Sequence, residues 1–123
     1  FEDELAGVAR EHELGVVSYF SLASGFLTGK YGSVEDLQGA ARAGMLEGYF
    51  DERGTRVLSA VREVARDLSA TPAQVALAWL MARPGVTAPI ASATSLEQLD
   101  DLTRAAGLRL DEAAMDKLES ASA

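Results

Sequence analysis

Residues 15–22 read GVVSYFSL, a short run rich in β-branched and aromatic side chains and bounded by Gly15 and Ser21. That composition predicts a buried strand. A second run of this kind, VTAPIA at 86–91, predicts another, with Pro89 tolerable near its end but not in the middle of a ladder. Between them, Val57, Val61, Val64 and Leu68 form one stripe of a helix over Arg56–Leu68. Thr71-Pro72-Ala73-Gln74 then supplies a hydroxyl cap, Pro at the first helical position and Gln at the third, a capping box for the nearly all-apolar VALAWLMA that follows. Strands separated by helices predict an α/β fold with a parallel sheet.

Outward from this unit, Leu5, Val8, Ala9 and His12 recur at helical spacing over Glu2–Glu13, which predicts a surface helix stopped by Gly15. Residues 23–54 carry seven glycines and no sustained period. A loop of that length in a compact domain is usually functional. Ser95 caps a further helix with Gln98 as its box partner, and Leu96, Leu99, Leu102 and Ala106 make its stripe before Gly107. A last helix begins near Asp111 and is expected to bury Met115 and Leu118.

Two strands are too few for such a sheet to stand alone, because parallel sheets need cover on both faces. Ordering costs roughly 1.5 kcal/mol per residue and is offset only when faces such as VALAWLMA find something to pack on. The chain also opens without Met, directly into an acidic amphipathic segment. We therefore expect residues 1–123 to be part of a single larger domain.

The composition, 48% apolar and 24% charged, is that of a soluble globular protein. With 19 acidic against 11 basic side chains, a formal charge of -8 opposes nucleic-acid binding, and the basic residues do not cluster in sequence. Cysteine is absent, which excludes disulfides, thiolate nucleophiles and cysteine zinc sites and suits a reducing compartment. No apolar run could span a bilayer, and the opening lacks the pattern of a secretory signal. The expectation is a cytoplasmic protein with no membrane partner and no metal.

Walker, GxGxxG, GxSxG and HExxH signatures are all missing. What remains is a pair of strand ends followed by small and hydroxyl residues: LASGFLTGK at 22–30 and ASATS at 91–95, the latter running into a helix start. Small residues let an anion approach the backbone, and the helix dipole adds roughly 0.3 to 1 kcal/mol for a nearby negative charge. Phosphate binding is one reading of these segments; two ordinary strand-to-helix turns are the other. In TIM barrels such a site frequently forms from the loops after strands seven and eight.

The runs SYFSLASGFLTGKY at 18–31 and TPAQVALAWLMARPGVTAPIASATSLEQLDDL at 71–102 resemble the C-terminal part of bacterial aldo-keto reductases. The resemblance covers almost the whole chain. It implies strands seven and eight of a (β/α)8 barrel that binds NADP(H) without a Rossmann motif and reduces aldehydes or ketones. On that basis Tyr19 would stack on the nicotinamide. Phe20, Ser21, Leu22, Ala23 and Ser24 would line the pyrophosphate and ribose, with Gly25 permitting the turn. Lys30 and Arg42 would meet the cofactor's phosphates; Ser92 and Thr94 would contact the 2'-phosphate end, and Gln98 and Asp101 would reach the adenosine. For Gln98 this competes with its capping role. Leu102 stands where the family often has Asn, and Ser92 where Gly is common. The family's catalytic Asp, Tyr, Lys and His belong to earlier strands, so this chain is expected to contain no catalytic residue and to be inactive alone. His12 and Trp79 are read as structural. Tyr31 and Tyr49 are either substrate contacts or loop anchors. Two alternatives stay open: a non-catalytic NADP-binding barrel subunit, as in the branch associated with potassium channels, and an inactive self-associated fragment.

Overall fold

The computed structural model describes residues 1–2, 4–40 and 43–123. Among the described residues there are six α-helices: α1 (Leu5–Glu11), α2 (Ala43–Leu46), α3 (Glu52–Asp67), α4 (Pro72–Ala82), α5 (Leu96–Arg104) and α6 (Glu112–Ser122). Two short strands, β1 (Val17–Ser18) and β2 (Ala88–Pro89), lie between α1 and α2 and between α4 and α5. The helix starts follow from their caps. Asp51 accepts from Gly54 N, Thr71 from Gln74 N, Ser95 from Gln98 N and Asp111 from Ala114 N, each satisfying an amide that has no partner within its helix. The Thr71 box closes as expected, with the Thr71 amide donating to Gln74 Oε1.

The main core is a helical layer in which α3, α4 and α6 bury Val61, Val64, Val75, Ala114, Leu118 and Ala121 among others. Because α4 is apolar on nearly every side, it buries six consecutive residues, Ala73 to Ala78, and lies at the centre of this layer. Met115, expected in the core, is only half-buried, and Ala114 and Ala121 line α6 beside Leu118 in its place. Trp79 packs at the edge of this core. Arg83 stacks over its ring at 5.1 Å from the centroid.

The aperiodic stretch from Ala23 to Gly54 is built, not open. It winds through 3-10 turns at Ala23–Thr28, Val34–Leu37 and Glu47–Tyr49 and through α2. These turns bring Phe26, Leu37 and Leu46 onto Leu58 of α3 as a second core. Tyr49 stacks on Phe26 with centroids 5.4 Å apart and Phe50 meets the same ring edge-on at 5.0 Å.

β1 and β2 pair in parallel, with Val17 opposite Ala88 and Ser18 opposite Pro89. Thr87 N and Ile90 N donate to the carbonyls of Val16 and Ser18 at 2.8 and 2.9 Å, so the amide that Pro89 lacks falls between the donors of the ladder. The expected strand over 15–22 is thus shortened to two paired residues. It is also not buried: Val17, Tyr19 and Phe20 are exposed. The fold is α/β and helix-rich, with one small parallel sheet. α1 buries no residue and neither does α5, whose Leu96 is 84% exposed. In the turn after α5 it is Ala105, not Ala106, that is buried.

Candidate functional site

Parallel pairing sends the chain out of both strands at the same end of the sheet, so the two segments singled out in the sequence leave side by side. After β1 the backbone turns sharply. Phe20, Ala23 and Ser24 have φ of 56°, 48° and 58°, and Gly25 follows at 105°. A bulky aromatic in the left-handed region is a genuine outlier, and such strain collects where a segment is shaped for a ligand. The turn is held by Ser21, which is 5% exposed and donates through Oγ to the Ser18 carbonyl at 3.0 Å. The Ala23 amide donates to the Phe20 carbonyl at 2.8 Å. Tyr19 projects outward, 74% exposed, with its ring edge against Phe20 at 4.3 Å. Leu22 and the Ala23–Thr28 turn are half-buried, except for Phe26, which is buried. Thr28 Oγ1 closes that turn onto the Gly25 carbonyl at 2.6 Å. Lys30 is exposed, its ammonium 5.3 Å from the centroid of the Tyr31 ring. Arg42 lies outside the described residues.

After β2, Ser92 and Thr94 are exposed just before the start of α5. Gln98 folds back there, its Oε1 accepting from Thr94 N at 2.8 Å and from Thr94 Oγ1 at 3.0 Å. The capping arrangement expected of Gln98 is therefore made with Thr94, one residue before Ser95. Asp101 turns the other way. Its carboxylate accepts from Thr71 Oγ1 at 3.0 Å and from Gln74 Nε2 at 2.7 Å, and Gln74 Nε2 also donates to the Asp101 carbonyl. Gln74 is 8% exposed, so this network satisfies a buried amide and bolts α5 to the start of α4. The Asp101 side chain thus faces the start of α4.

Behind Tyr19 and Phe20 lies an apolar cleft of about 200 Å3, walled by Leu27, Val61, Trp79 and Leu118. The two exit segments offer hydroxyls, turned backbone, an aromatic ring and one described cation. They contain no carboxylate, imidazole or thiol until Glu97. Such a set can bind and orient a ligand. Among the described residues no cluster of His, Cys, Asp or Glu could hold a metal ion. Away from these segments, a backbone hydrogen bond and Ser33 draw the Glu35 carboxyl down, and Lys117 does the same to Glu63. His12 follows α1 and is exposed. Tyr31 and Tyr49 pack at the loop core, the position of anchors.

Sequence reasoning missed Arg62. On α3 it reads as an ordinary polar position, yet it donates through Nη2 to the carbonyls of Gly29 and Tyr31 at 2.8 and 3.3 Å. Only the fold that lays the loop across α3 makes the contact, so nothing local in the sequence signals it.

The sequence profile of the Aldo/keto reductase family matches residues 1–123. An uncharacterized oxidoreductase of Mycobacterium tuberculosis is 42% identical over 111 residues, covering 87% of this chain and 33% of its own length. An uncharacterized oxidoreductase of Bacillus subtilis is 36% identical, covering 89% of this chain and 32% of its own. A probable voltage-gated potassium channel subunit beta of Arabidopsis thaliana is 28% identical over 96% of this chain and 38% of its own length. The chain thus spans about a third of the length of the curated relatives it matches.

Proposed function

The chain belongs to the aldo/keto reductase family, and from that membership we propose that it is the cofactor-holding segment of an oxidoreductase that reduces aldehydes or ketones with NADPH. β1 and β2 are the seventh and eighth strands of a (β/α)8 barrel in this reading, and the remaining strands come from chain outside these residues. The observation that carries it is the parallel register of Val17 with Ala88 and Ser18 with Pro89, which delivers both candidate segments to one edge.

The residues suit an extended dinucleotide phosphate. Tyr19 offers an exposed ring for the nicotinamide to stack on. The left-handed turn through Ala23, Ser24 and Gly25 keeps side chains out of the path of a pyrophosphate. Lys30 supplies charge, with Arg42 as a second candidate cation. The N-terminus of α5 and the hydroxyls of Ser92 and Thr94 face the 2'-phosphate end. Gln98 meets the adenosine when it releases Thr94, whereas Asp101 acts through α4. Bound NADPH supplies the hydride. The residues of this chain hold its nicotinamide in place; the proton donor and the group that orients the carbonyl belong to the missing strands.

A second reading, a non-catalytic barrel subunit that binds the same cofactor, is favoured by the likeness to the potassium channel subunit. Turnover separates the two. The longest natural polypeptide containing this sequence is expected to oxidise NADPH in the presence of an aldehyde or ketone from a mixed panel, and the 123-residue chain alone is expected not to. NADPH binding without turnover would favour the second reading. Sustained turnover by the purified 123-residue chain would overturn the first.

A further inference from the structure

Lys30 is exposed on a flexible stem, and its own segment does little to fix it: its amide lies 3.4 Å from Thr28 Oγ1 and its ammonium 5.3 Å from the Tyr31 ring centroid. The backbone on either side is held from outside. Arg62 reaches across from α3, and its Nη2 donates to the carbonyls of Gly29 and Tyr31, the two residues that bracket Lys30. Gly29 is left-handed at φ 72°, and a Cβ there would meet Pro72 Cγ at 3.1 Å and Arg62 Nε at 3.4 Å. The segment is therefore pressed between Arg62 and the first turn of α4. Arg62 is half-buried, and it takes part in none of the ion pairs among the described residues. Its hydrogen bonding there goes to this loop.

We propose that Arg62 is a positioning residue for cofactor binding: by clamping carbonyls 29 and 31 it fixes the backbone on both sides of Lys30 and presents that ammonium to a cofactor phosphate. Ordering a loop and a long side chain on binding weakens affinity, and a clamp that orders the loop beforehand removes part of that loss. The inference rests on the assignment of Lys30 to a phosphate made above, and the test separates the two.

NADPH KM and kcat are measured in the longest natural polypeptide for Arg62→Met, Arg62→Lys, Lys30→Ala and the Arg62→Met/Lys30→Ala double variant. Arg62→Met is expected to raise KM about fivefold, the scale of one lost hydrogen bond, with kcat changed less than about twofold. In the Lys30→Ala background the same change is expected to add less than about twofold, because its effect runs through Lys30. Arg62→Lys keeps the charge and the capacity to donate, but its shorter stem does not bring a nitrogen to the place of Nη2, so its KM is expected to fall between wild type and Arg62→Met. This variant also serves should Arg62→Met fail to fold. An unchanged KM in either Arg62 variant while Lys30→Ala raises it overturns the inference and leaves Lys30 standing. Effects that multiply in the double variant, or a kcat that falls together with the rise in KM, overturn it as a general structural role. An unchanged KM in Lys30→Ala removes the phosphate assignment itself and the inference with it.

Discussion

At Gly54 a Cβ would sit inside the carbonyl oxygen of Tyr49, while the amide of the same residue donates to Asp51, the N-cap of α3. One glycine thus joins the stacked Tyr49–Phe26 pair to the start of the longest helix. Gly54→Ala must push backbone against backbone, and the cost is on the order of 2 kcal/mol or more. We expect the thermal midpoint to drop by roughly 5 °C or more for that loss, with the near-ultraviolet signal of Tyr49 and Phe26 weakened. A midpoint within about 1 °C of wild type would contradict the close approach. Residue-scale chemistry also divides the candidate site. Asp101 and Gln98 carry the same family expectation, and each is engaged within the chain, one by Thr71 and Gln74 and the other by Thr94.

At the scale of elements, α3 and α6 are joined across their exposed edges by Lys117 and Glu63, 2.7 Å apart. The hydrogen bond holds the Glu63 carboxyl below its usual range and lifts the Lys117 ammonium above its own. A lowered carboxyl contributes stability above its unfolded pKa, lost as pH falls through the folded value. A raised ammonium contributes below its unfolded pKa, and that is lost as pH rises through the folded value. The pair therefore stabilises between those limits, modestly because it is solvent-exposed. Glu63→Gln is expected to lower the thermal midpoint at neutral pH and low salt and to match wild type once the carboxyl is protonated; a difference that persists unchanged in acid would contradict this. The elements also show what the sequence made legible. The Thr71 box, the Ser95 cap, the start of the last helix near Asp111 and the apolar α4 were readable, because caps and periodicity are local. The strands were read too long, since residues 15–22 carry strand composition while only Val17 and Ser18 have a partner. The core of Phe26, Leu37 and Leu46 was hidden because 3-10 turns leave no steady period, and Arg62 because its partners lie on another element.

Over the whole molecule, packing is uneven among the described residues. The α3–α4–α6 layer is packed, whereas Leu5, Val8, Val17, Ile90, Leu96 and Leu99 are exposed on α1, α5 and around the sheet. Among the described residues no helix is long and apolar enough to cross a membrane. The chain spans about a third of the length of its relatives, and in the proposed barrel reading further strands would cover such apolar residues. In that reading the exit segments after β1 and β2 would hold the cofactor. Calorimetric titration of the longest natural polypeptide with NADPH, repeated on Tyr19→Ala, tests that account most directly. We predict one saturable site per chain, weakened about two- to tenfold when the stacking ring is removed, in line with roughly 0.5–1.5 kcal/mol for an aromatic pair. The absence of saturable NADPH binding, or affinity indifferent to Tyr19, would contradict it.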